Sequence, residues 1–246
     1  MNERITSLQA ALSPRQGFLV TGEASRLYLT GFPSSAGTVL VTPDQSYFLI
    51  DFRYIEKAKK SVTSCEVMLA DKLYAQVAAL CRRHGIDEMF VETEVMSIRA
   101  REGWATAVPE VEWSASPTIE ERLTAMRRVK TPAELALIRR AQRMTDETFA
   151  YILDRIRPGR TERDVMLDME FDIRRRGSQG VSFDFIVVSG ANSSLPHGVP
   201  TDKPIATGDF VTMDFGAVVD GYHSDMTRTV ALGQPGVTIG SGAFEG

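Results

Sequence analysis

The stretch from Phe183 to Leu232, FDFIVVSGANSSLPHGVPTDKPIATGDFVTMDFGAVVDGYHSDMTRTVAL, constrains the fold more than any other part of the chain. Three apolar runs, FIVV, FVTMDF and TRTVAL, flank polar turns, and Asp220-Gly221 is a dipeptide that favours a two-residue hairpin loop. With the loop fixed there, Val219 pairs with Tyr222, Ala217 with Ser224 and Gly216 with Asp225. Side chains alternate between faces along a strand, so Asp214 shares the face of Gly216 and lies one diagonal step from Asp225. A three-residue loop would instead send the two acids to opposite faces.

Like charges on one sheet face repel unless something positive sits between them. A bound divalent cation would resolve the conflict at Asp214 and Asp225; two solvated surface acids would also satisfy the spacing. Asp214 lies in MDFG, an otherwise apolar strand where burying an unpaired acid would be costly. His197, in the loop SLPHG, reads either as a surface residue or as a proton or hydrogen-bond donor. His223 has the parity of Asp225 and reads as a strand residue with a satisfied tip. His84 ends a helix, where a cation is favourable.

The segment before this stretch is helical. Thr131, Pro132 and Glu134 make an N-cap, a first-turn proline and a capping box, and Leu135, Ile138, Phe149, Ile152 and Ile156 supply an apolar stripe up to Pro158-Gly159. A second helix, capped by Thr161 with Asp164 at its third position, runs to about Arg176. The arginines of both helices read as solvated faces and carry no assigned function.

Residues 17–51 read as several strands separated by turns, followed by helical spacing over 53–60 and 73–83 and a buried strand at EMFVE, 88–92. PEVEWSASPT, around 109–118, has two prolines and no period, and suits a linker or the last edge of a first α/β domain. The domains are therefore expected at 1–117 and 118–246. The chain of 246 residues has room for both.

Charge narrows the function classes. With 28 basic against 32 acidic residues the net charge is −4, and the whole deficit falls after Lys130. Phosphate backbones are poor partners for such a chain. Cys65 and Cys81 make no disulfide framework, no apolar run approaches a membrane span, and MNERITSLQAALS lacks the apolar core of a secretory signal, so a cytoplasmic protein is expected. The ending GSGAFEG has the wrong spacing for a dinucleotide-binding turn.

Taken together, YLTGF at 28–32, DFRYIEKA at 51–58, MRRVKTPAELALIRRA at 126–141, and SGANSSLPHG followed by GDFVTMDFGAVVDGYHSDMTRT resemble the Xaa-Pro peptidase family, aminopeptidase P and prolidase. The resemblance implies a creatinase-like α/β N-terminal domain followed by an α+β pita-bread metallopeptidase domain, of which only the first half is present. It also implies Asp214 as ligand to one metal ion, Asp225 as bridge to a second, and His197 as a hydrogen-bonding group near the substrate. A hydroxide held between the two ions would attack the amide carbonyl. Oxygen ligands suit manganese, with zinc or cobalt as substitutes. A homodimer and a proline-containing peptide substrate are implied in the same way.

The roughly 115 residues ahead of the linker favour an Xaa-Pro peptidase over methionine aminopeptidases, which generally lack that domain. Asp214 and Asp225 speak against creatinase, which uses no metal. The family supplies one histidine and two glutamates as further ligands, yet the sequence stops 21 residues after Asp225, and its tail offers only Glu245. Two carboxylates do not close shells that need about four to six donors each. The chain by itself is expected to be inactive or nearly so; the alternative is a non-catalytic homologue acting as a dimerising or interaction module.

Overall fold

The computed structural model describes residues 3–233, so Glu245 and the GSGAFEG ending lie outside the described residues. The chain divides into two compact units, Met1–Lys130 and Thr131–Gly246.

Unit 1 contains α1 (Glu3–Gln9), β1 (Gln16–Val20), α2 (Glu23–Thr30), β2 (Thr38–Val41), β3 (Ser46–Ile50), α3 (Ile55–Ser61), β4 (Glu66–Leu69), α4 (Leu73–His84), β5 (Glu88–Val91), α5 (Ile98–Ala107), β6 (Glu112–Ser114) and α6 (Thr118–Arg128). The strands form one sheet in the order β4-β3-β2-β1-β5-β6. Pairing is antiparallel among β1, β2 and β3 and parallel elsewhere. Every residue of β2 and β3 is buried, which accounts for their continuous apolar runs: both sheet faces are covered. Phe18, Val20, Phe48 and Ile50 pack with Leu8, Ile119 and Leu123 on one side. Leu19, Leu40, Tyr47 and Leu49 pack with Val77, Cys81, Trp104 and Trp113 on the other.

PEVEWSASPT supplies the last edge of this sheet. Its Trp113 is buried and stacks on Trp104 at 5.0 Å, while Glu112 N–H donates to Asp87 O at 2.7 Å. Beyond the expected boundary at 117, Ile119 and Leu123 of α6 join the core of unit 1, so the division falls at Lys130 and Thr131. His84 ends α4 as the spacing implies. Its ring bridges the Tyr47 hydroxyl, 2.7 Å from Nε2, and an Asp44 oxygen, 2.9 Å from Nδ1.

Unit 2 contains α7 (Pro132–Leu153), α8 (Glu162–Arg175), β7 (Ile186–Ser189), a 3-10 turn (Gly190–Ser194), β8 (Phe210–Phe215), β9 (Val218–Val219), β10 (Tyr222–His223) and β11 (Met226–Ala231). Both capping boxes form: Thr131 and Thr161 side chains accept from the backbone N–H of Glu134 and Asp164, whose carboxylates accept in return. The buried face of α7 runs through Ala141, Met144, Thr145, Thr148 and Ile152. Leu135, expected in that stripe, is 37% exposed, because the first turn of α7 is held by its cap and by the Tyr222 hydroxyl donating to Glu134 Oε1 at 2.6 Å. Two arginines of the run are ion-paired: Arg174 with Glu170 on the surface, and Arg176 with the exposed Glu147 and the buried Asp172. These helices pack on a three-stranded sheet in the order β11-β8-β7.

Candidate functional site

Asp220 has φ 49° and Gly221 φ 79°, the pair of positive values that defines a type I′ turn. The amide side chain of Gln179 clamps this turn, accepting from Asp220 N–H at 2.7 Å and donating to its carboxylate at 3.2 Å. Val219 pairs with Tyr222 and Val218 with His223. Beyond a short interruption, Phe215 pairs with Met226 and Asp214 with Thr227. The register is the same on both sides of the interruption, so side-chain parity is preserved through it.

Burial confirms that parity. Val211, Met213, Phe215, Ala217 and Val219 are buried toward the helices, and Ser224 and Met226 join them. Thr212 and Asp214 are half-buried, and His223, Asp225, Thr227 and Thr229 are exposed on the opposite face. Asp214 and Asp225 therefore share one face. The cost of burying an unpaired acid does not arise at Asp214: β8 alternates strictly, and its acid lies half-buried on the outward side. There Thr227 Oγ1 donates to Asp214 Oδ1 at 2.8 Å.

The interruption has its own structure. A Cβ on Gly216 would lie 1.9 Å from Ser224 O, a distance only glycine permits. Ser182 Oγ reaches both Ala217 O and Ser224 O at 2.8 Å, and Ser224 Oγ meets Thr145 Oγ1 at 2.6 Å. Ser182 thus serves the carbonyl of Ser224, the residue directly before Asp225, and Ser224 Oγ accepts from Ala217 N–H at 2.9 Å, so main-chain groups at the interruption find side-chain partners.

His197 occupies a turn over Leu195-Pro196-His197-Gly198, closed by Gly198 N–H donating to Leu195 O at 3.2 Å. Proline second and glycine fourth suit such a turn. The His197 side chain is exposed. On β7, Ile186 pairs with Asp214 and Val188 with Thr212. Directly paired residues of an antiparallel ladder project to the same side, so Val188 lies on the Asp214 face. Gly198 covers Val188 so closely that a Cβ would meet its Cγ1 at 2.6 Å. The three sequence-derived residues, Asp214, Asp225 and His197, thus belong to one side of the sheet.

The opposite side holds a residue that the sequence did not single out. Glu162, in the first turn of α8, is completely buried. Its Oε1 accepts from Ser189 N–H at 2.7 Å, Ser189 Oγ at 2.9 Å and Asn192 Nδ2 at 3.3 Å. Its Oε2 accepts from Thr201 N–H at 3.1 Å and Thr201 Oγ1 at 2.7 Å. Burial pushes this carboxyl up, but the hydrogen bonds from Thr201 and Ser189 outweigh it and hold the group below the usual carboxylate range. Asp209 is lowered against its burial by Ala206 N–H and Lys203, and Asp164 is lowered by the Thr161 hydroxyl and N–H.

A group lowered on folding contributes stability above its unfolded value, and the contribution is lost as pH falls through the folded one. Acid titration is therefore expected to loosen residues 159–209 on descending below the ordinary carboxylate range, earlier than β8. Amide exchange against pH checks this, and uniform loss across unit 2 would contradict it.

Asp214 and Asp225 offer carboxylate oxygens, the donor type a hard divalent ion takes. Among the described residues no group of three or more His, Cys, Asp or Glu side chains is arranged to hold a metal ion. The donors fit such an ion in kind and would supply part of its shell. No helix of the described residues is long and apolar enough to cross a membrane.

Residues 4–127 match the creatinase/prolidase N-terminal domain, and residues 136–238 match metallopeptidase family M24. The chain belongs to the Xaa-Pro peptidase family. Within it, a Bacillus subtilis protein named "Uncharacterized peptidase YqhT" is 37% identical over 220 residues, covering 89% of this chain and 62% of that protein. The solved Xaa-Pro dipeptidase from Bacillus anthracis is 38% identical with a TM-score of 0.87, over 95% of this chain and 65% of its own. The X-Pro aminopeptidase from Thermotoga maritima MSB8 is 28% identical with a TM-score of 0.84, over 92% and 65%. This family member thus combines a creatinase-type N-terminal domain with part of a pita-bread domain, and spans less than two thirds of the length of these relatives.

Proposed function

We propose that this chain carries the first half of a metal-dependent Xaa-Pro peptidase and that, alone, it does not turn over substrate. The observation that carries the reading is the shared sheet face of Asp214 and Asp225 beneath the turn bearing His197. Asp214 would hold one divalent ion and Asp225 would bridge it to a second, with manganese as the native metal. Bound there, the pair would supply Lewis acidity and water activation. Thr227 orients Asp214 through Oδ1. His197, exposed on its turn, donates a hydrogen bond to the substrate.

The substrate class is taken from relatives named Xaa-Pro dipeptidase and X-Pro aminopeptidase, and the amide explains why such a bond needs a site of its own. An Xaa-Pro bond has no N–H, so peptidases that bind their substrate as an added strand lack one of its main-chain donors. A dedicated site handles it. The incomplete donor set among the described residues favours a second reading, a non-catalytic homodimerising module. A cytoplasmic setting agrees with Cys65 and Cys81 both being free.

Hydrolysis of Xaa-Pro dipeptides and longer Xaa-Pro peptides by this chain, with added manganese, zinc or cobalt, tests the proposal. No turnover is expected. Robust turnover that Asp214→Asn abolishes would overturn the half-site reading while keeping the peptidase. The gene downstream of Gly246 separates the two readings: an in-frame continuation with one histidine and two glutamate ligands supports the peptidase, and its absence the module.

A further inference from the structure

We propose that Glu162 is the positioning residue of the His197 turn, acting from the helix side of the sheet on a segment that crosses to the metal side. The inference rests on the reading of His197 given above; its geometry does not. Segment 190–200 leaves β7 after Ser189 and ends at Thr201, and the two oxygens of Glu162 divide these ends between them. Oε1 takes the N–H and hydroxyl of Ser189 together with the Asn192 amide, and Oε2 takes the N–H and hydroxyl of Thr201. One carboxylate thus closes the base of the loop. A neutral or shorter side chain at 162 cannot accept all five.

Neighbouring contacts complete the anchor without replacing it. Thr201 O and Lys203 O accept from the N–H groups of Arg163 and Glu162, at 3.1 Å each, so the loop's end also caps α8. Lys203 Nζ donates to Ser189 Oγ at 2.8 Å and to Asp209 Oδ2 at 2.9 Å. With both ends fixed, the turn at 195–198 has one seat, Gly198 against Val188. A buried charge with all its acceptor positions engaged is a stiff support, since each freed donor would have to find another partner in a dry site.

Glu162→Gln tests this in the 246-residue chain. The amide keeps one acceptor oxygen and turns a donor toward either Ser189 N–H or Thr201 N–H, whichever it faces. Two readouts need neither metal nor substrate: amide exchange over 189–201, and the nuclear Overhauser contact between the Gly198 α protons and the Val188 methyls. At least tenfold faster exchange at Ser189 and Thr201 is expected, with loss of the Gly198–Val188 contact and no change over β8 or over α8 beyond its first turn. Should Glu162→Gln fail to fold, Thr201→Val, which removes one donor and leaves the carboxylate in place, decides by the same readouts. An intact contact with unchanged exchange in the deciding variant overturns the proposal, as does loss spread equally over α8 and β8. Absence of peptidase activity touches neither readout and bears on the proposed function alone.

Discussion

Gly216→Ala is expected to unmake the hairpin that carries Asp225. The new methyl would lie 1.9 Å from Ser224 O, 2.7 Å from Ser224 C and 2.8 Å from Ser182 Oγ. Two of these atoms are main chain and cannot rotate away. Ser224 is itself fixed, its N–H donating to Ala217 O at 3.0 Å and its hydroxyl meeting Thr145 and Ala217 N–H. Relief requires the strand after Tyr222 to retreat and give up those bonds. Overpacking costs about 1–3 kcal/mol and occasionally more. Each buried hydrogen bond left unmade adds on the order of 1 kcal/mol or more. A total of about 4 kcal/mol is a large share of the stability of an ordinary domain. Amide exchange over β8 to β11 reads the outcome, and a variant melting within about 2 °C of the parent would contradict the clash, since about 1 kcal/mol already moves a domain of this size by several degrees.

Phe215→Ala comes next in size and removes support from the other side of the same strand. Phe215 is fully buried and meets Phe185 edge-on at 5.8 Å between ring centroids. Truncating such a ring costs about 3–5 kcal/mol through lost transfer energy and the cavity left behind. The corresponding fall in melting temperature is roughly 10–20 °C for a domain of this size. Circular dichroism and exchange over β7, β8 and β11 measure it. Both tryptophans, Trp104 and Trp113, lie in unit 1, so indole emission reports whether unit 1 has been lost as well. A shift below about 4 °C would mean that the site collapses to fill the space.

The hairpin was readable because its determinants are local. Asp220-Gly221 fixes a two-residue turn, and from it the period of two carries parity to Asp214 and Asp225 with no tertiary information. The capping boxes at Thr131 and Thr161 are local for the same reason. Features that depend on distant partners were not readable. For β6 the sequence leaves a linker and a last sheet edge equally open; the three-residue strand exists because Trp113 stacks on Trp104 and Glu112 N–H donates to Asp87 O. Leu135 has the spacing of a core residue but sits in a turn of α7 whose inward position is taken by Glu134. The apolar surroundings of Asp214 in the sequence belong to the other face of its strand. Glu162 looks like one more acid in a helix's first turn, where negative charge is common, and nothing in its neighbours reveals that Ser189 and Thr201 will converge on it.

The hydroxyl that Thr227 lends to Asp214 has a counterpart on the same sheet face. Thr212 and Thr229 repeat the arrangement one step along, their hydroxyls 3.0 Å apart. The outward face of β8 and β11 is therefore wettable and finds hydrogen-bond partners within its own two strands.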